Sequence, residues 1–309
     1  MNTAKETVSC KIEHHAILHT CEYLESRGYE VTYLDVDENG LIDLEQLKKS
    51  IREDTILISI MSANNEIGTI QPIAEIGKIA KEHEIFFHTD AVQAFGHIPI
   101  DVEEMQIDML SASGHKIHGP KGIGFLYIRK NVRTGSFIHG GSQERGKRAG
   151  THNVPGIVGL AAAAKIAKEN LESNIEYETK LRDYAISRIE NEIPFAVLSG
   201  HRTKRLPNNI HFCFRFIEGE SMLILLDQAG ICGSSGSACT SGSLDPSHVL
   251  LAIGRPHEIA HGSLRLTLSE KNTKEEIDKV VVELKKIIER LRSMSPLYED
   301  YLKKEKANV

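Results

Sequence analysis

Between residues 12 and 129, short apolar runs alternate with amphipathic segments of helical length, and this alternation restricts the possible folds more than any other feature of the chain. Residues 14–27 suit an amphipathic helix, YEVTYLDV (29–36) a strand, 44–51 a short helix and TILISIM (55–61) a second strand. PIAEIGKIAKEH (72–83) places proline at a helix start, where its missing N–H leaves nothing unpaired, and IFFHTD (85–90) reads as a buried strand. IGFLYIR (123–129) adds one more. Strands joined through helices form βαβ units, so the expected fold class is α/β with a mainly parallel sheet. The character changes after Thr151. Residues 154–190 are helical and rich in Ala, Lys and Glu, and the remainder mixes the short strands NIHFCF and SLRLTL with helices over 220–229 and 274–292. The expected organisation is a large domain over 1–152, a bridging helix over 153–190 and a small α+β domain over 191–309.

Composition narrows the classes of function. A net charge of −6 supplies neither a basic field for nucleic acid nor a polybasic patch for a membrane surface. No apolar run approaches the length that spans a bilayer, and the first residues show no signal-peptide core, so cytoplasm is the expected compartment. Five cysteines (Cys10, Cys21, Cys213, Cys232, Cys239) are an odd number with no CxxC pair, which argues for reduced thiols. Four of them read as buried small hydrophobes. The fifth, Cys239, stands in GSSGSACTSGS (233–243), a run too small and polar to build a core element.

In open α/β sheets, ligands gather at the carboxyl ends of the strands, and several chemically capable residues follow strands here. HTDAVQ (88–93) places Asp90 directly after an apolar strand, either as a helix N-cap or as a carboxylate facing a cationic ring nitrogen, with Gln93 close by. SASGHKIHGPKGIG (111–124) surrounds Lys116 with small residues that let backbone approach an anion, and Ser113 and His115 add donors. A phosphate site beside an amine, with an aspartate one βα step upstream, is what pyridoxal phosphate requires: the lysine holds its aldehyde and the aspartate pairs with its pyridine nitrogen. NNEIG (64–68) follows a strand and suggests a site through Asn65. His15 and His19 have the one-turn spacing of two metal ligands, but no third ligand has matching context. His14, at the helix start, is placed instead to face a strand-end pocket. Arg265, within the apolar strand SLRLTL, is either paired structurally or grips a carboxylate with a bidentate fork.

Together these runs resemble the cysteine desulfurases of the NifS-like group, fold-type I pyridoxal-phosphate enzymes of the class V aminotransferase superfamily. The runs that carry the resemblance are SCKIEHHAILHTCEYL (9–24), MSANNEIGTIQP (61–72), HTDAVQAFG (88–96), SASGHKIHGPKGIGFLYIR (111–129), HGGSQERGKRAGT (139–151) and SSGSACTSGSLDPSHVL (234–250). The resemblance implies that Lys116 carries the cofactor, that Asp90 pairs with the pyridine nitrogen, and that Asn65 and Gln93 contact the phenolic-oxygen side. It implies that His14 stacks on the ring and shares proton transfers with Lys116. Ser113 and His115 would bind phosphate, and Thr151 would reach the phosphate of a neighbouring subunit across a homodimer. Arg265, with Asn65, would hold substrate L-cysteine, and Cys239 would take its sulfur as a persulfide, leaving L-alanine. The form of the cysteine run resembles the long-loop group, which hands sulfur to an acceptor protein for iron–sulfur assembly or thiolation. Members of this group also carry an Asn-Ala-Ala-Thr-Thr run and a Gly-Gly-Thr-Glu-Ser-Asn loop that opens a helix. Neither occurs here, so the sequence reading expects missing large-domain elements and missing phosphate donors. It keeps as an alternative a catalytically impaired, truncated paralogue that retains dimer and partner surfaces.

Overall fold

The computed structural model describes residues 5–235 and 246–307. A six-stranded sheet is built from β1 (Glu6–Cys10), β2 (Glu30–Leu34), β3 (Thr55–Ser59), β4 (Phe86–Asp90), β5 (Met109–Ser113) and β6 (Gly124–Ile128), in the order β2-β1-β3-β4-β5-β6. The first five strands pair parallel, and β6 closes the edge antiparallel to β5. The connecting helices are α1 (His15–Glu25), α2 (Leu44–Ser50) and α3 (Ile73–Glu82). Val8, Ile58, Ile76 and Phe87 are fully buried between these helices and the sheet, each contributing roughly 1.5–3 kcal/mol of transfer free energy.

Strand β1 lies in the sheet interior although its sequence, ETVSC, is half polar. Glu6 is fully buried, and its carboxylate accepts hydrogen bonds from Thr32 Oγ1 at 2.6 Å and from Thr55 Oγ1, with Arg52 3.5 Å away. Neighbouring strands thus satisfy a charge that sequence pattern alone reads as solvent-facing.

The expected single helix over 153–190 is two helices, α4 (Val154–Glu169) and α5 (Leu171–Glu192). They break at Asn170, whose backbone N–H and side-chain amide both donate to Ile166 O, at 3.1 and 2.9 Å. Beyond them lies an antiparallel sheet of β7 (Ala196–Leu198), β8 (Asn209–Phe214) and β9 (Ser263–Thr267). It packs with α5, α6 (Gly219–Gln228) and α9 (Lys274–Ser293) around Phe212, Phe214, Leu226 and Val281. A capping box starts α9, with Thr273 Oγ1 accepting from Glu276 N and Glu276 Oε2 accepting from Thr273 N. Three further helices, α7 (His248–Ala252), α8 (His257–Ala260) and α10 (Pro296–Ala307), were not visible as sequence patterns.

The two sheets meet along residues 64–70. Leu206 N donates to Gly68 O (2.8 Å), Ile70 N to Lys204 O (3.0 Å) and Asn209 Nδ2 to Glu66 O (2.9 Å). Gly68 sits at φ +74°, and a Cβ there would stand 2.5 Å from Asn209 Oδ1, so only glycine permits the approach.

Candidate active site

Parallel pairing sets Asp90 opposite Ser111, so β4 and β5 end side by side. After Ser113 the chain makes a 3-10 turn over Gly114–Ile117 and leaves it through His118 at φ +63°. That turn presents Lys116, half-buried, at the sheet edge. Its backbone is fixed by His97, whose Nε2–H donates to Lys116 O at 3.0 Å while Nδ1 accepts from Asn208 Nδ2 at 3.5 Å. Ser113 Oγ and His115 Nδ1 are 2.8 Å apart, forming one polar pair beside the lysine.

A cavity of about 230 Å³ opens here, and its walls include Asn65, Gln93, His115, Lys116 and Arg265. Five residues named from sequence therefore converge from four separate segments. Asp90, His14 and Ser113 are not among its lining residues, and Thr151 is exposed on the loop before α4. Cys239 lies outside the described residues.

Asp90 is buried, and among the described residues its carboxylate accepts one hydrogen bond, from Val92 N at 2.9 Å. The following residues form turns instead of a helix, so the N-cap reading does not hold. Burial raises the Asp90 pKa; the Val92 N–H and then the charges of His14 and Lys116 pull it back. His14 is the N-cap of α1, its Nδ1 accepting from Ala16 N at 3.1 Å. Beneath Asp90, the His88 ring bridges Ser59 Oγ and Ser111 Oγ, each at 2.9 Å, and burial lowers its pKa to about 4, keeping it neutral.

Arg265, on β9, uses Nε for Ser234 Oγ (3.1 Å) and Nη1 for Asn65 O (2.8 Å). The guanidinium is thus paired structurally, as one of the two sequence readings has it, through Nε and Nη1.

Three acids and one imidazole escaped sequence reasoning. They are Glu13, Glu66, Glu178 and His97, all buried or partly so. The only signal for Glu66 was its place in NNEIG. Glu13 is fully buried; its Oε1 accepts from Met61 N (2.6 Å) and Cys10 Sγ (3.1 Å), and Oε2 has no partner among the described residues. Burial raises its pKa to about 8. A raised folded value means the protonated form stabilises the fold; this contribution is complete below the ordinary carboxyl range and is lost as pH climbs towards 8. Glu13→Gln, which copies the protonated acid, should therefore flatten the fall in unfolding midpoint between pH 5 and pH 8, measured by chemical denaturation. A variant that follows the wild-type slope refutes this assignment.

Of the other cysteines, Cys10, Cys21 and Cys213 are buried as expected, whereas Cys232 is exposed. It lines a surface pocket with Leu266, Leu268, Ile277 and Val280, two residues before Ser234. His15 and His19 lie 5.1 Å apart ring to ring, with His248 4.7 Å from His15. Among the described residues, no group of three potential ligands is placed to hold a metal ion. No described helix is long and apolar enough to cross a membrane.

The family model for aminotransferase class-V matches residues 1–280. The cysteine desulfurase IscS of Clostridium botulinum is 58% identical over 298 residues, covering 96% of this chain and 75% of that protein. The cysteine desulfurase IscS of Methanosarcina thermophila is 57% identical over 293 residues, covering 95% and 72%. Among solved structures, a NifS-like protein superimposes with a TM-score of 0.86 at 41% identity, covering 93% of this chain and 76% of its own. SspA in complex with cysteine matches with a TM-score of 0.75 at 40% identity, covering 87% and 75%. With Asn65, Lys116 and Arg265 lining one cavity and identities of this size along nearly its whole length, the chain belongs to the aminotransferase class-V family and, within it, to the cysteine desulfurases.

Proposed function

We propose that this chain transfers the sulfur of L-cysteine to Cys239, releasing L-alanine, with the residues around the 230 Å³ cavity as its catalytic apparatus. The observation that carries the reading is the convergence of Lys116, Gln93, Asn65 and Arg265 on that cavity, with a buried carboxylate, Asp90, behind it.

The residues present fit pyridoxal phosphate, the cofactor of this family. Asp90 is a buried acid with no side-chain cation bonded to it among the described residues, which suits a protonated ring nitrogen. Lys116 is the amine for its aldehyde, and the Ser113–His115 pair offers donors to its phosphate. When bound, the cofactor supplies an electron sink for the substrate's α-carbon.

The chain's own side chains do the rest. Arg265 orients the substrate carboxylate through its Nη2 edge, and the backbone of Asn65 holds that arginine in place. Lys116 Nζ and the His14 ring would move protons at the α-carbon and at Cβ. Cys239, as thiolate, attacks the substrate sulfur: an S–S bond forms, the Cβ–S bond breaks, and protons restore the methyl group of alanine. Cysteine plus thiol thus gives alanine plus persulfide, with atoms balanced.

The persulfide then passes to an acceptor protein in iron–sulfur assembly or thiolation. Thr151, exposed and not among the residues lining its own cavity, would serve the site of a second copy in a homodimer.

The test compares wild type and Cys239→Ala, both reconstituted with pyridoxal phosphate. The variant should keep the cofactor's visible absorbance yet release no alanine from L-cysteine above background, and mass spectrometry should find the extra sulfur on Cys239 of the wild type. Alanine release by Cys239→Ala at the wild-type rate would falsify the assignment. Absence of release by either protein would favour the silent-paralogue reading.

A further inference from the structure

Glu66 lies in the turn that lines the cavity, yet nothing in the chemistry above uses it. It is 4% exposed, and its backbone is fixed on both sides: the N–H donates to Asn64 Oδ1 at 2.9 Å, and the carbonyl accepts from Asn209 Nδ2 at 2.9 Å. Its carboxylate therefore has little freedom to choose a partner. Oε2 accepts a hydrogen bond from Ser247 Oγ, itself 6% exposed. The same hydroxyl oxygen accepts from Val249 N (3.1 Å) and Leu250 N (3.4 Å), so Ser247 is both the N-cap of α7 and the ligand of a buried acid.

Ser247 is the second described residue after the stretch 236–245 that contains Cys239. Ser234, before the cysteine, is held just as firmly. Its N–H donates to Arg265 O (3.0 Å), its carbonyl accepts from Arg265 N (2.6 Å), and its hydroxyl accepts from Arg265 Nε (3.1 Å). Arg265 in turn donates to Asn65 O at 2.8 Å. Two consecutive residues, Asn65 and Glu66, thus anchor both ends of the stretch that bears the cysteine.

We propose that Glu66 is a positioning residue for sulfur transfer: through Ser247, its buried carboxyl fixes the return point of the Cys239 segment relative to the cavity. This rests on the reading of Cys239 as sulfur acceptor. Glu66 is not among the residues lining the cavity, so its effect should fall on the step in which the cysteine must arrive. A buried hydroxyl also needs its partner: with Glu66 gone, Ser247 keeps the cap but loses what locates it. Burial raises the acid's pKa to about 7, while the Ser247 hydrogen bond and the charge of Arg265 oppose this. The contact needs only an acceptor oxygen, which glutamine also provides.

The experiment follows a single turnover of holoenzyme with L-cysteine, reading the Cys239 persulfide by rapid quench and mass spectrometry. Glu66→Ala should form it about 10- to 100-fold more slowly, the scale expected for a misplaced reacting group. Its cofactor absorbance and KM for L-cysteine should stay within about twofold of wild type, a split that general destabilisation does not produce. Glu66→Gln should restore most of the rate. Ser247→Ala should match Glu66→Ala, and the double variant should lose no more than either single one, because both remove one contact. Wild-type persulfide rates in Glu66→Ala overturn the proposal, as do additive losses in the double variant, failure of Glu66→Gln to rescue, or parallel loss of the cofactor. If Glu66→Ala does not fold, Ser247→Ala and Glu66→Gln carry the same two expectations. Absence of persulfide on wild-type Cys239 would overturn the reading of that cysteine, and this proposal with it.

Discussion

Lys116→Ala should turn over no measurable L-cysteine and should lose pyridoxal phosphate on gel filtration. The loss should be about 10³-fold or more, since a positioned acid–base group alone contributes about 10²–10⁴ and this lysine is also the proposed anchor of the cofactor. The fold should survive. The 3-10 turn is set by the left-handed His118 and by the His97 hydrogen bond to the lysine carbonyl, neither of which involves the Lys116 side chain. Its thermal unfolding without cofactor should match that of wild type. An alanine-release rate near wild type in this variant would remove Lys116 from the site.

Asp90→Asn should separate function from stability. Asparagine keeps the size and the acceptor for Val92 N–H but removes the charge. Without a carboxylate facing the ring nitrogen, kcat/KM for L-cysteine should fall about 10²–10³-fold, or about 3–4 kcal/mol in transition-state stabilisation. The same change should leave the cofactor-free chain as stable as before or more so. Burial holds the Asp90 pKa above its ordinary value, so the charged form costs the fold free energy at neutral pH, and the neutral amide avoids that cost. Denaturant midpoints at pH 7 with and without pyridoxal phosphate measure both halves. A variant that is less stable without cofactor and equally active with it would mean that Asp90 serves the scaffold alone.

The parallel sheet was legible because its helices and strands carry different hydrophobic periods, and a helical crossover gives the chain room to return for parallel pairing. What escaped was polar burial. Strand β1 reads as ETVSC, and only Thr32 and Thr55 on neighbouring strands make Glu6 acceptable inside. The antiparallel β6 escaped for another reason: the direction of an edge strand depends on the Gly-rich turn before it, which sequence pattern does not resolve.

Within the site, Asp90, Lys116 and Arg265 were legible because each follows or interrupts an apolar run, where a charge demands explanation. Asn65, Gln93 and His115 came with them into one cavity. Glu13 and Glu66 were not legible. An acid beside a histidine or an asparagine usually faces water, and nothing local shows that Met61 N or Ser247 Oγ will enclose it. Long-range partners of this kind exist only once the chain has folded.

The junction along residues 64–70 gives the cavity a property that neither core has alone. Asn65 contributes a wall, Glu66 holds the return of the cysteine segment, and Gly68 lies against Asn209. The next residues carry hydrogen bonds to the strand-bearing half that contains Arg265. One short stretch is therefore at once hinge pin, wall and tether. Any parting of the two sheets opens the cavity and releases the arginine from Asn65 in a single event.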